Sequence, residues 1–76
     1  MPSKKSSANQ ALGKAIRSAR EQKGYSQERF AREANMDRSY LAAIERGEFN
    51  VSLDTIVKIA HGLHTTSAAL CAKAKV

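Results

Sequence analysis

Residues 34–47, with the sequence ANMDRSYLAAIERG, decide the fold of this 76-residue chain. Asp37 is a typical N-cap and Gly47 a typical helix stop, so the stretch predicts a short helix between two turns. The face turned away from Leu41 and Ile44 carries small side chains and arginines, whereas solvent-facing helix surfaces usually carry Glu, Lys and Gln. A helix with such a slim face fits the major groove of DNA, which is about 12 Å wide.

A helical wheel at about 100° per residue assigns the faces of this helix. Side chains near the N-terminus of an inserted helix meet base edges first, and an arginine there suits a bidentate contact with guanine. The alternatives are a phosphate contact or a solvated side chain for the arginine, and a merely exposed surface for the small residues. The residues expected to contact bases are Arg38, Ser39, Ala42 and Ala43.

Glu45 occupies an unusual place on the same wheel, about 50° from the centre of the buried face. A buried carboxylate needs a cation and hydrogen bonds. Arg20 flanks the apolar stripe of the first predicted helix, so we predict an Arg20–Glu45 ion pair between the two helices. Its net effect on stability stays open, because desolvation opposes the attraction.

The rest of the chain predicts four more short helices and no strand, an all-α fold. Helical periodicity runs from Ala8 to Lys23, and Asn35 tolerates the positive φ of a sharp turn. Ser52 and Thr66 are expected to cap the last two helices. The residues expected to face inward from the fourth helix are Leu53, Ile56, Ile59, Ala60 and Leu63.

Length limits the chain to one domain, close to the smallest size that folds on its own core. We expect that domain at residues 8–72, with a helix-turn-helix at about 27–46. A flexible basic arm (1–7) is expected before it. A short tail (73–76) is expected after it.

The charge distribution favours a polyanionic partner. Thirteen Lys and Arg against seven Asp and Glu give a net charge of +6. Residues 1–23 hold six of the basic residues against one acid, whereas residues 24–50 hold four arginines against five acids. This distribution suits a basic first segment that attracts double-stranded DNA and a nearly neutral segment that recognises it.

Several function classes lack support in the sequence. A single cysteine, Cys71, excludes an internal disulfide and favours a reducing cytoplasm. No membrane segment or signal peptide is expected, because no apolar run is long enough and the first ten residues lack an apolar centre. His61, His64 and Cys71 lack a further ligand at metal-binding spacing, so no metal or other cofactor is expected. No catalytic constellation is present either, which predicts a protein that is not an enzyme.

Residues 25–63, YSQERFAREANMDRSYLAAIERGEFNVSLDTIVKIAHGL, resemble the helix-turn-helix family of phage lambda repressor and Cro, also called the XRE family. The resemblance extends from about Leu12 to Leu70. It implies a five-helix DNA-binding domain that acts as a dimer on palindromic operators in a bacterial or phage cytoplasm. Within the family, MDRSYLAAIERGEFNVSL most resembles the controller proteins of restriction–modification systems, which regulate their own gene and the endonuclease gene.

The resemblance also assigns roles to single residues. It implies a buried ion pair at Arg20 and Glu45, in agreement with the wheel. For Gln27 the alternative is a role only at the helix start, and for Tyr40 a ring packed on the domain. Phe49 departs from the family, which often has a basic residue there. The expected contacts with the DNA backbone are Gln27, Tyr40, Arg46, Asn50 and Arg17.

A dimer is expected because one helix contacts only a short DNA site. One helix recognises too few base pairs to select a genomic site, whereas a twofold dimer places two helices about 34 Å apart, one DNA turn. An antitoxin-type module that neutralises a protein and binds its own promoter is the alternative function. RNA polymerase is a further candidate partner of a regulator. The expected dimer contacts are Val57, Ala68, Leu70 and Cys71.

Overall fold

Each helix of this chain begins after a side chain that caps its free backbone N–H groups. In a computed structural model, which describes residues 6–76, the caps are Ser6, Ser26, Asp37, Ser52 and Thr66. Their oxygens accept hydrogen bonds of 3.0–3.2 Å from N–H groups two or three residues ahead. The helices are α1 (Ser7–Gln22), α2 (Gln27–Glu33), α3 (Arg38–Glu45), α4 (Leu53–Gly62) and α5 (Ser67–Ala74).

Residues in the left-handed conformation separate the helices. Gly24 and Gly47 have φ values of +79° and +78°, and Asn35 and His64 have +57° and +58°. A left-handed residue after a helix satisfies its last carbonyl groups and reverses the chain. The turn between α2 and α3 is therefore short, as a helix-turn-helix requires.

The core is shared by all five helices. α1 packs against α3 and α5, α2 packs against α3, and α4 packs against α5. This arrangement supports α3 from two sides. The buried core residues are Leu12, Ala15, Ile16, Phe30, Ala31, Leu41, Ile44, Ile59, Ala60, Leu63 and Leu70.

Two helix boundaries and one inward-facing residue differ from the sequence prediction. Ser7 is helical rather than part of the arm, because Ser6 caps α1, and α5 continues into the predicted tail as far as Ala74. Leu53 is 68% exposed rather than inward, and Val51 in the preceding loop packs on the core. The other predicted arm residues, 1–5, lie outside the described residues.

Candidate nucleic-acid interface

One groove brings together most of the residues expected to touch DNA. It lies between the start of α2 and the outer face of α3, and Asp37, the cap of α3, forms part of its wall. Side chains from both helices of the helix-turn-helix therefore share one surface. The residues that line the groove are Gln27, Asp37, Arg38, Ser39, Ala42 and Arg46.

The N-terminal end of α3 presents an arginine and a hydroxyl group. Arg38 and Ser39 are both exposed. The Ser39 hydroxyl donates to Asp37 Oδ1 at 2.9 Å, and the Ser39 N–H donates to the same oxygen at 3.1 Å. Within residues 6–76, no acidic side chain forms an ion pair with Arg38. Its guanidinium is therefore available to an acceptor from outside the chain.

Ala43 does not belong to this surface, so its predicted base contact is wrong. Ala43 is only 5% exposed, whereas Ala42 is half-buried and lines the groove. At the end of α3 the Glu48 N–H donates to the Ala43 carbonyl oxygen at 3.0 Å, as in a helix C-terminal cap. A helical wheel of α3 alone does not show which other elements pack against each side chain.

Two of the predicted backbone contacts pack on other parts of the chain. The exposed Tyr40 ring meets Phe49 edge to face, with ring centroids 5.7 Å apart. Asn50 Oδ1 accepts a hydrogen bond from Asn9 Nδ2 at 2.8 Å, which ties the loop after α3 to α1. Neither Tyr40 nor Asn50 lines the groove.

The two other arginines predicted to contact the DNA backbone are paired with acids. Arg17 Nε lies 3.2 Å from Glu21 Oε2 on the exposed side of α1. Arg46 Nε and Nη2 lie 2.7 and 3.1 Å from the two carboxylate oxygens of Glu48. Hydrogen bonding to Glu48 raises the pKa of Arg46 above its ordinary value. Both arginines keep their charge, since arginine stays protonated in proteins.

The inward carboxylate of Glu45 meets Arg20, as the wheel predicts. Arg20 Nε and Nη2 donate to the two Glu45 oxygens at 2.7 and 3.0 Å, and the side chains are 7% and 2% exposed. Arg20 Nη1 donates to the Tyr25 carbonyl oxygen, and Gln27 Nε2 donates to Glu45 Oε1 at 3.0 Å. Hydrogen bonding to Glu45 raises the pKa of Arg20. The network holds α3 against both α1 and α2.

Gly13 is a structural residue of the site that the sequence reasoning missed. It is buried in α1, and a Cβ atom there would lie 2.5 Å from the Ile44 carbonyl oxygen and 2.6 Å from that of Glu45. Only glycine lets α1 approach the backbone of α3 so closely. Glycine inside a helix costs about 1 kcal/mol relative to alanine. Its presence within α1 was therefore the sequence feature that indicated a close packing contact.

The predicted dimer contacts are divided between surface and core. Val57 is 48% exposed, Ala68 is exposed and Cys71 is half-buried. Leu70 is 2% exposed because it completes the core of its own chain, so its predicted intermolecular contact is wrong. The unexpectedly exposed Leu53 lies one helical turn before Val57 on α4.

Two further features of the described chain bear on function. Among residues 6–76, no helix is long and apolar enough to cross a membrane. In the same part of the chain, no three His, Cys, Asp or Glu side chains lie close enough to hold a metal ion. His61 and His64 are both exposed.

The helix-turn-helix family profile matches residues 16–70, most of the described chain. The chain belongs to the XRE-type helix-turn-helix family. The family resemblance and the five-helix fold predicted from the sequence are thereby confirmed. Its relatives include the control proteins C.MunI and C.BamHI.

Two related sequences illustrate the relationship. The control protein C.MunI of Mycoplasma sp is 41% identical over 60 residues, which cover 78% of this chain and 81% of C.MunI. A hypothetical transcription factor of Neisseria meningitidis serogroup B is 44% identical over 48 residues, 63% of this chain. The chain spans only 45% of the length of that Neisseria protein.

Two solved structures share the fold. The restriction–modification controller protein C.AhdI of Aeromonas hydrophila is 41% identical, with a TM-score of 0.77 over 80% of this chain and 92% of its own. The controller protein C.Esp1396I, solved as a tetramer with its 35-base-pair operator, is 26% identical. Its TM-score is 0.78 over 91% of this chain and 96% of its own.

Proposed function

We propose that this helix-turn-helix protein is a cytoplasmic, sequence-specific transcription regulator that binds a palindromic operator as a homodimer. The observation that carries the proposal is the groove in which Gln27 of α2 lies beside the slim outer face of α3. That face presents Arg38, Ser39 and Arg46. Arginine donors at the start of a helix and a small residue behind them suit insertion into a major groove.

The proposed roles follow from position along α3. Arg38, exposed and without an acidic partner in residues 6–76, contacts a guanine edge, and Ser39 contacts the neighbouring base. Ala42 allows the backbone to approach the bases. Arg46, at the far end of the groove, contacts phosphate, which positions the helix without recognising sequence.

The homodimer is supported by an exposed apolar strip on α4. Leu53 and Val57 lie one helical turn apart and are 68% and 48% exposed. Covering such side chains lowers the free energy by about 25 cal/mol for each Å² of apolar surface removed from water. We assign the dimer seam to these two residues together with Ala68 of α5.

The control-protein role is the finer part of the proposal. C.MunI, a control protein, matches this chain over most of the length of both proteins. C.Esp1396I occupies its operator as a tetramer, so DNA binding by an assembly is found in a structural relative. We propose that this chain likewise regulates its own gene and a restriction endonuclease gene.

Selection of DNA from a random library, combined with sedimentation, tests the proposal. The unmodified chain should select a palindrome and sediment as a dimer. Val57→Glu should sediment as a monomer and bind the palindrome more weakly. Its fold should persist, because glutamate forms helix at least as well as valine at an exposed position.

Ala8→Glu is the matched control, since it adds the same charge at an exposed position of α1 outside the proposed seam. It should stay dimeric. A chain that sediments as a monomer and binds a lone half-site as tightly as a palindrome would contradict the proposal.

A further inference from the structure

Arg46, the arginine proposed to contact phosphate, forms an ion pair with Glu48 at the C-terminal end of α3. Two donors of Arg46, Nε and Nη2, are taken by the two oxygens of Glu48 at 2.7 and 3.1 Å. The side chains are 56% and 35% exposed, so the pair lies at the protein surface. Arg46 also lines the groove that carries the proposed function.

The backbone places Glu48 at this position. Gly47 turns the chain with a φ of +78°, and its Cα lies so close to α1 that a Cβ would approach the Gln10 Cα to 2.8 Å. The Glu48 N–H then donates to the Ala43 carbonyl oxygen at 3.0 Å. The carboxylate is therefore held beside the groove by the turn and by this hydrogen bond.

A carboxylate and a phosphate can compete for the same arginine donors. The planar guanidinium binds either group through two parallel N–H donors, and the Glu48 carboxylate fills one such pair, Nε and Nη2. An exposed ion pair contributes little net free energy, so exchange of one anion for the other is easy.

We propose that Glu48 is an internal competitor of DNA phosphate for Arg46, and this inference rests on the proposed function. The carboxylate holds the guanidinium in the free protein and releases it on binding. Because phosphate contacts carry no sequence information, Glu48 weakens binding to every DNA sequence by a similar factor. Discrimination then depends on the residues at the start of α3.

The test is Glu48→Gln, measured by fluorescence anisotropy on a short duplex of random sequence over a series of salt concentrations. At low salt the variant should bind about three- to tenfold more tightly. The plot of log Kobs against log salt concentration should steepen by up to about 0.9, one additional phosphate charge, since no released carboxylate then takes up a cation.

Glu33→Gln is the matched control. It makes the same charge change in another exposed pair, in which Arg29 Nε lies 3.0 Å from Glu33 Oε2 and neither residue lines the groove. Its gain in affinity should be clearly smaller. Equal gains for the two variants would show a net-charge effect and overturn the proposal.

Arg46→Ala identifies the route by which Glu48 acts. In that background Glu48→Gln should give no more gain than Glu33→Gln, and an undiminished gain would mean direct repulsion of DNA and overturn the competitor role. Thermal melts check that each variant is folded. Failure of the unmodified chain to bind any duplex refutes the proposed function, whereas binding with no effect of Glu48→Gln refutes this inference alone.

Discussion

Glu45 and Arg46 are neighbours in the sequence, yet they belong to two different arginine–glutamate pairs. Both pairs join Nε and Nη2 of an arginine to the two oxygens of a carboxylate, with a shorter contact of 2.7 Å in each. Arg20–Glu45 is buried and also engages Gln27 and the Tyr25 carbonyl group, whereas Arg46–Glu48 faces solvent. Identical pair chemistry is thus found in two different settings.

Burial explains why the two pairs have different consequences. In the buried pair each charge has lost its water and depends on its partner, so removal of one partner leaves a costly unpaired charge. In the exposed pair water replaces a lost partner at little cost. The first pair therefore fixes the position of α3, and the second is suited to exchange with an outside anion.

The largest expected effect comes from breaking the buried pair. Glu45→Ala should lower the free energy of unfolding by about 3–5 kcal/mol, because Arg20 stays buried without a counter-charge. Urea or thermal melts followed by circular dichroism measure the change. A loss below about 1 kcal/mol, typical of a solvent-exposed pair, would contradict the structural role.

Arg38, which has no acidic partner within residues 6–76, sharpens the comparison. Arg38→Ala should reduce binding to the selected site by about 1–3 kcal/mol and relax the preference at one base position. Arg46→Ala should instead weaken binding to selected and random duplexes alike, because it removes a phosphate contact. Titrations of both variants on both duplexes give the answer, and a uniform loss for Arg38→Ala would mean that Arg38 also contacts phosphate.

The smallest expected effect on stability belongs to the exposed pair. Glu48→Ala should change the free energy of unfolding by less than about 1 kcal/mol. The difference should shrink further at high salt, which screens exposed charges. The same melts used for Glu45→Ala provide the measurement, and comparable losses for the two variants would show that burial does not separate the pairs.

Much of the fold was predictable because its signals are local. Asp37, Ser52 and Thr66 satisfy N–H groups only two or three residues away, and Asn35 reverses the chain by its own φ value. Such effects depend on the residue and its near neighbours, so they can be recognised in a sequence. The Arg20–Glu45 pair was predictable for a related reason, since a charge on an apolar helix face requires a partner.

The sequence placed side chains on the observed surface where their exposure depended on one helix, and it misplaced them where other elements intervene. A wheel of α3 gives the angle of Ala43 but not its burial, which leaves it 5% exposed. For the same reason the sequence did not show that Leu70 completes its own core while Leu53 lies exposed at the start of α4.

The sequence by itself determined the five helices, most of their caps and turns, the helix-turn-helix family and the need of Glu45 for a cation. Only the tertiary structure decided how closely Gly13 brings α1 to α3, which small residues of α3 stay exposed, and that Glu48 holds Arg46 beside the groove. The physical reason is the separation along the chain over which each interaction acts. Caps and helical periodicity act within a few residues, whereas burial and ion pairing depend on which distant segments meet in space.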